Sequence, residues 1–373
     1  MHDRIYICHT FYHVYVTCLK ELKLRREAAA TEAAAATGAA APGTATLVLS
    51  LMSNHFGTLK DRALASGLFE AVYEFDEKLD TFFPELEPLK TDSGSLFKNM
   101  INRIRFTRRL GQLEEPYVPV DLREYRDIYV FCDSDPIGYY LNYKKIRYHA
   151  LEDGLNCLLY GDQARIDNNG HFRFKAWMAA RGLIFIQNGW GRYCIDMEVN
   201  DLSVLEYGCP KYLEVPRRPL QDALTAEDKE VLLGIFVEDL DRIRGRLHEL
   251  RGVHKVMVLS EPLCDLETRE RIFRDIIDEY GSVGGESTDL IIKQHPRDMM
   301  DYEKLFPEAV VLPRTFPMEM LNFMPELHAD RLVSVFTVLD ALEFADEKIF
   351  LGYDFMDKYE APEIHRLNDL ITG

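Results

Sequence analysis

The feature that most constrains this chain is a strand–helix alternation that runs, pauses and restarts. Short apolar or β-branched runs occur at Arg4 to Cys8, Thr46 to Leu51, Ala71 to Phe75, Asp127 to Cys132 and Ile146 to Leu151. Between them lie stretches with apolar residues at helical spacing, including Val14 to Leu24 after the turn HTFYH, His55 to Phe69 and Leu96 to Leu110. The alternation restarts after Thr225, an expected N-cap with Asp228 three residues on. There a helix is predicted over 226–250, a strand over 255–260 and a helix over Leu266 to Tyr280. Strands follow within Thr288 to Asp298, where Leu290 to Ile292 is the apolar run before a charged loop, and at Ala309 to Leu312, Arg331 to Val335 and Lys348 to Leu351. A helical turn is predicted at Met318 to Met324 and a helix at Thr337 to Ala345. Two successive units of this kind predict two doubly wound α/β domains facing each other across a cleft. The proline-bounded basic stretch Val215 to Pro219 reads as the linker, giving domains of 1–215 and 216–373. The alanine-rich segment 28–43 reads as an extension of the first helix plus a loop.

Composition narrows the functional classes. A hydrophobic content of 47% supports sizeable cores, and a net charge of −18 argues against general nucleic-acid binding. The seven cysteines are scattered and form no CxxC pair, which fits buried thiols in a reducing compartment. The chain enters a strand directly, without a signal peptide, and no window reaches the length of a membrane span. A cytoplasmic location, with or without contact to the inner face of the membrane, is expected. Such contact is expected through 96–110, where Phe97, Met100, Ile101 and Ile104 share a side and Arg103, Arg105, Arg108 and Arg109 follow. The plainer reading of that helix is a core cover with solvated arginines.

Four segments with reactive groups fall at strand ends, where sheets of this type bind ligands. Glu152-Asp153-Gly154 places adjacent carboxylates after a buried strand; repulsion and burial would push one toward general-base range, and Gly154 permits close approach. Lys293, His295 and Arg297 alternate after the run Leu290 to Ile292, with Pro296 ending the strand, and would meet a phosphate with charge-assisted donors. Glu319 could accept from ribose hydroxyls or simply favour a helix start. Ser334 and Thr337 bracket a predicted helix N-terminus, which suits a phosphate or ordinary capping.

Taken together, HALEDG (149–154), IIKQHPRD (291–298), FPMEML (316–321), SVFT (334–337) and the opening ICHTFYHVYVT (7–17) resemble the bacterial lipooligosaccharide sialyltransferases, glycosyltransferase family 52, and their polysialyltransferase relatives. The resemblance implies a GT-B fold with the donor bound mainly by the C-terminal domain. It implies inverting transfer of sialic acid from CMP-sialic acid to a glycan or glycolipid acceptor, with no metal and no other cofactor, in surface polysaccharide or lipooligosaccharide synthesis. Carried over, Glu152 or Asp153 is the general base, with Glu152 favoured, and His295 stabilises or protonates the leaving phosphate. Gly154, Lys293, Pro296 and Arg297 shape or line the donor site, Glu319 holds the ribose, and Ser334 and Thr337 hold the phosphate. Val335 departs from the paired hydroxyl residues of the family. A homodimer is a further expectation.

Three other readings compete. Asp133-Ser134-Asp135 after a strand has the D-x-D form of a metal-dependent GT-A transferase, which EDTA would inactivate. The same GT-B fold could use UDP-glucose or another CMP-keto-sugar. A non-catalytic sugar- or nucleotide-binding protein would show no transfer at all.

Overall fold

The computed structural model describes residues 2–34, 44–154, 156–159, 168, 170–205, 207–295 and 297–365. Residues divide into two compact units, Met1–Asp228 and Lys229–Gly373.

The first unit is built on seven parallel strands: β1 His2–Cys8, β2 Ala45–Ser50, β3 Ala71–Phe75, β4 Tyr125–Phe131, β5 Tyr148–Leu151, β6 Cys194–Val199 and β7 Tyr212–Glu214. Their order is β3-β2-β1-β4-β5-β6-β7, so the winding reverses between β1 and β4. Central strands with helices on both faces must be apolar throughout, and Ile5 to Cys8 and Ala45 to Ser50 are buried without a break. The first crossover helix, Phe11–Ala34, begins where Thr10 accepts the His13 N–H at 3.2 Å. It is fixed to β1 by a buried fork in which Arg4 donates to both oxygens of Glu21 and Tyr6 adds its hydroxyl. The alanine-rich stretch does continue this helix to Ala34; its remainder lies outside the described residues.

The helix Leu96–Glu114 buries Phe106, Leu110 and Gly111, further along than the expected face, while Leu96 and Phe97 are exposed. Met100 and Ile104 pack instead on a small cluster with Ile184 and Trp190. The shift follows from Gly111, whose missing side chain lets this helix lie on the backbone of Tyr139 in the helix Pro136–Lys144. Val215 to Pro219 is not an open linker: Arg217–Asp222 is helical, Arg217 is buried, and Gln221 donates to the Tyr15 hydroxyl of the first unit. Strand β7 went unseen in the sequence because it is three residues long and largely exposed. Among the described residues no helix is long and apolar enough to cross a membrane.

The second unit carries β8 His254–Leu259, β9 Thr288–Lys293, β10 Val310–Leu312, β11 Ala329–Ser334 and β12 Ala345–Phe350, in the order β10-β9-β8-β11-β12. It repeats the winding of the first sheet, reversing between β8 and β11. The capping box is present, with Thr225 and Asp228 exchanging backbone and side-chain bonds. The predicted helix over 226–250 is two helices, Ala226–Phe236 and Leu240–Glu249, broken where Asp239 takes φ 53°. The predicted helix over 337–345 is irregular chain, because the Phe336 and Thr337 N–H groups are bound by a carboxylate that follows β8, described below.

Candidate active site

In the first unit the carboxyl ends of five adjacent strands bring together groups far apart in sequence. His9 follows β1, Ser50 ends β2, Glu77 follows β3, Cys132 to Asp135 follow β4, and Glu152-Asp153 follow β5. Asp153 is bonded to His13 Nε2, and its side chain keeps 36% exposure. His13 Nδ1 accepts the backbone N–H of His9 at 3.0 Å, which fixes the tautomer: the proton sits on Nε2 and is donated to Asp153. The ring is buried and stacked on Phe131 at 4.3 Å. Burial holds His13 below the ordinary imidazole range, so it serves as a neutral donor. Burial would raise Asp153, but the bond and charge of His13 and the Cys132 thiol outweigh it, leaving a carboxylate below its ordinary pKa.

Glu152 faces differently. It is buried, its Oε2 accepts the Asn200 N–H at 2.6 Å, and burial raises its pKa against the pull of Asn200 and Arg217. The structure therefore separates the two carboxylates: Glu152 ties β5 to the loop after β6, and Asp153 stands at the surface. Gly154 holds φ 113°, reached at low cost only by glycine, with open space where a Cβ would be.

Behind this pair lies a buried acid–imidazole group. His9 Nε2 is 2.8 Å from Glu77 and 3.4 Å from Asp135. Burial alone would lower His9, yet Glu77, Asp135 and Asp153 hold it above the ordinary range. Glu77 also takes the Ser50 hydroxyl at 2.7 Å and the Ile137 N–H at 2.8 Å. Burial pushes Asp135 up to about 7. Asp133 has both oxygens engaged, by the N–H groups of Asn188 and Gly189 and the Tyr148 hydroxyl. Asp133 is thus a buried structural anchor. Cys132 and Asp153 also line a cavity of about 30 Å³ with Ser134 and Asn188.

In the second unit, His295 follows β9. Its backbone N–H donates to the Ser260 hydroxyl at 3.0 Å and its Nδ1 accepts from the Arg297 N–H at 3.1 Å, so a neutral ring bears its proton on Nε2. Burial, Arg297 and Lys293 lower its pKa. Arg297 is exposed; Pro296 lies outside the described residues. The loop is anchored by Asp298, fully buried, which binds the Arg269 guanidinium at 2.8 Å and the Tyr302 hydroxyl at 2.7 Å. Lys293 is not presented to a ligand: it is buried, donates to the Gln294 and Pro313 carbonyls, and lies 4.3 Å from the Phe316 ring centroid. Burial lowers it to about 7, with Glu319 the opposing charge. Glu319 is half-buried in the turn Met318–Phe323 and raised by burial.

Ser334 and Thr337 do not start a helix. Ser334 is buried and donates to the Thr337 carbonyl at 2.7 Å. The N–H groups of Phe336 and Thr337 and the Thr337 hydroxyl are all taken by Glu261 at 2.8–3.0 Å. A carboxylate thus occupies the donors expected to meet a phosphate. His9, His13, Glu77, Glu261 and Asp298 were not singled out from sequence. The signal for the first two was the pair of histidines four apart in HTFYH.

Two units of parallel sheet, each with reactive groups at the carboxyl ends of its strands, define a GT-B glycosyltransferase fold. The α/β-galactoside α-2,3-sialyltransferase of Photobacterium phosphoreum matches with a TM-score of 0.50 at 10% identity, over 93% of this chain and 90% of that one. The 2,6-sialyltransferase of Photobacterium sp. JT-ISH-224, solved with CMP and lactose, gives the same score and identity over 93% and 71%. The chain belongs to glycosyltransferase family 52, whose model matches residues 98–352. A Haemophilus influenzae protein described as uncharacterized is 28% identical over 130 residues, so the match spans 34% of this chain but only 39% of that relative.

Proposed function

We propose that this protein is an inverting, metal-independent sialyltransferase that moves sialic acid from CMP-sialic acid to a glycan acceptor of the bacterial surface. The observation that carries the reading is the Asp153 carboxylate, partly exposed at the carboxyl end of β5 and oriented by the neutral His13. A base must first reach the proton it removes, and pKa comes second. Asp153 meets the first condition and Glu152 does not, so the base is Asp153 and not the initially favoured Glu152. His295, neutral and with Nε2–H available, donates to the departing CMP phosphate, and the exposed Arg297 adds charge. Glu319 contacts the ribose, and Lys293 and Asp298 position the loop. CMP and lactose in the JT-ISH-224 enzyme supply the donor and acceptor types to try first.

The acceptor is a glycolipid met at the inner face of the membrane. Exposed Leu96, Phe97, Phe174 and Trp177 support this, as does a cavity of about 1110 Å³ lined by Met100, Phe106 and Met178 with Arg103 and Lys175. The test is transfer from CMP-sialic acid, compared with UDP-glucose, in the presence of EDTA. Product from CMP-sialic acid that persists in EDTA and vanishes in Asp153→Asn but not Glu152→Gln is expected. Transfer from UDP-glucose alone, or full activity in Asp153→Asn, would defeat the proposal.

A further inference from the structure

We propose that the cavity between the helices Leu96–Glu114 and Phe172–Ala179 binds one lipid of an anionic bilayer, its acyl chain between the apolar walls and its phosphate between Arg103 and Lys175. The cavity measures about 1110 Å³, slightly above the roughly 300–1,000 Å³ of ordinary ligand sites. Met100, Phe106, Met178 and Ile184 form its walls, and Leu96, Phe97 and Phe174 are exposed members of its lining. Trp177 extends this exposed rim. Its ring stacks on Phe174 at 5.7 Å, and the Arg181 guanidinium lies 3.7 Å from its centroid. Exposed aromatic rings beside cationic side chains are what a bilayer interface selects.

Charge identifies the occupant. The whole chain carries −18, yet its two helices here are basic. The first holds Lys98, Arg103, Arg105, Arg108 and Arg109 and the second Arg173 and Lys175, against one acid, Glu114. Burial raises Glu114 to about 8, so it adds little negative charge near pH 7. Two of the cations converge inside the cavity. Arg103 donates to the Asn168 side-chain oxygen at 3.1 Å and Lys175 to the Asn168 backbone carbonyl at 3.2 Å. The Arg103 Nε is buried without a hydrogen-bond partner, a costly state that a phosphate oxygen would relieve. Burial and the Arg103 charge both lower the Lys175 pKa, so an anion between the two is favoured. Asp92, the acid on the lining, is engaged by the Gly94 N–H and the Asn99 amide. A position for phosphate beside an apolar cavity is the chemistry of a phospholipid. The lining also includes Gln187, and the next residue, Asn188, lines the small cavity of Asp153. A bilayer docked here holds that carboxylate close to membrane-borne acceptors. The catalytic consequence rests on the sialyltransferase reading proposed above; lipid binding does not.

The experiment uses the full-length protein and vesicles of phosphatidylcholine with or without phosphatidylglycerol. Co-sedimentation of the unmodified protein should be about tenfold or more stronger with phosphatidylglycerol, and should fall as salt is added. Arg173→Glu changes an exposed side chain by two charges and should weaken binding about 10- to 30-fold. Phosphatidylglycerol brominated on its acyl chains then locates the chain by quenching nearby tryptophan. The protein has two tryptophans: Trp177 at the rim, and Trp190, which packs in a cluster with Met100, Met178 and Ile184 of the cavity wall. In Trp177→Phe, an exposed position, the remaining Trp190 should still be quenched. Adsorption to the surface alone leaves Trp190 bright, and that result overturns the site. Equal binding to both kinds of vesicle overturns it too, as does a dimer that hides Trp177 from the lipid. Transfer from CMP-sialic acid without vesicle binding would sink the lipid site and leave the function standing; vesicle binding without transfer would do the reverse.

Discussion

His13 donates its Nε2 proton to Asp153, although 140 residues separate them in the chain. One residue enters from the start of the first crossover helix and the other from the end of β5, and their meeting sets both orientation and charge. The bond is the main influence that keeps Asp153 ionised against its own burial.

Removing that influence should be visible in the pH profile. In His13→Asn the Asp153 carboxyl loses the group that depresses its pKa, while burial still pushes it up. The acidic limb of kcat/KM should therefore move to higher pH. The maximal rate should fall about 10- to 100-fold through lost orientation. An unshifted acidic limb would dissociate His13 from the base.

Lys293 predicts an unusual stability profile. Its folded pKa is about 7 against an ordinary 10.5, so between these values the unfolded chain binds a proton that the folded chain has lost. Stability should rise with pH through this window, by at most about 1.4 kcal/mol per unit from this one group. The contribution is complete above 10.5 and gone below about 7. Urea midpoints at pH 7, 8 and 9 should climb less steeply in Lys293→Met, and parallel curves would refute the assignment.

Asp298→Ala should strip the buried Arg269 of its partner and release the Tyr302 hydroxyl. Breaking one side of a buried pair costs about 3–5 kcal/mol, so a marked drop in melting temperature is expected. The His295 loop loses its anchor with it, so KM for the donor should rise. Asp298→Asn should be milder, because it keeps one acceptor oxygen for the Arg269, Met300 and Tyr302 donors.

Two glycines should respond in opposite directions. A Cβ at Gly138 would fall 2.0 Å from the Asp133 carbonyl oxygen and 2.7 Å from the Phe185 ring, so Gly138→Ala should destabilise by about 3 kcal/mol or more. Gly234 is exposed in the helix Ala226–Phe236 with nothing within 4 Å of a Cβ. Gly234→Ala should stabilise by about 0.5–1 kcal/mol. Chemical denaturation of both variants checks the pair.

The fold was legible wherever burial imposes a period. Ala71–Phe75 and Leu266–Tyr280 stand where the apolar patterns put them, and the run Leu290 to Ile292 lies inside β9. Patterns failed where a single tertiary contact overrides them. Glu261 seizes the Phe336 and Thr337 N–H groups and cancels a helix that local propensity favours. Asp239, in the left-handed region, splits a helix that composition alone would continue. Individual site groups could be picked out because charge after a strand end is a local signal. Their division of labour could not: Glu152 and Asp153 are neighbours of similar chemistry, and only the Asn200 N–H and His13 Nε2 tell them apart. Lys293 misled for the same reason, since its burial depends on Pro313 and Phe316.

Every strand pairing among the described residues is parallel. Hairpins are therefore not available as early local nuclei, and each unit must close long stretches of chain before its centre is secured, which slows folding. During synthesis β1 emerges well before β4, so one of its edges waits for Tyr125–Phe131 to leave the ribosome. Until then that apolar edge is open to any other strand, so nascent chains should depend on chaperones more than the folded protein does.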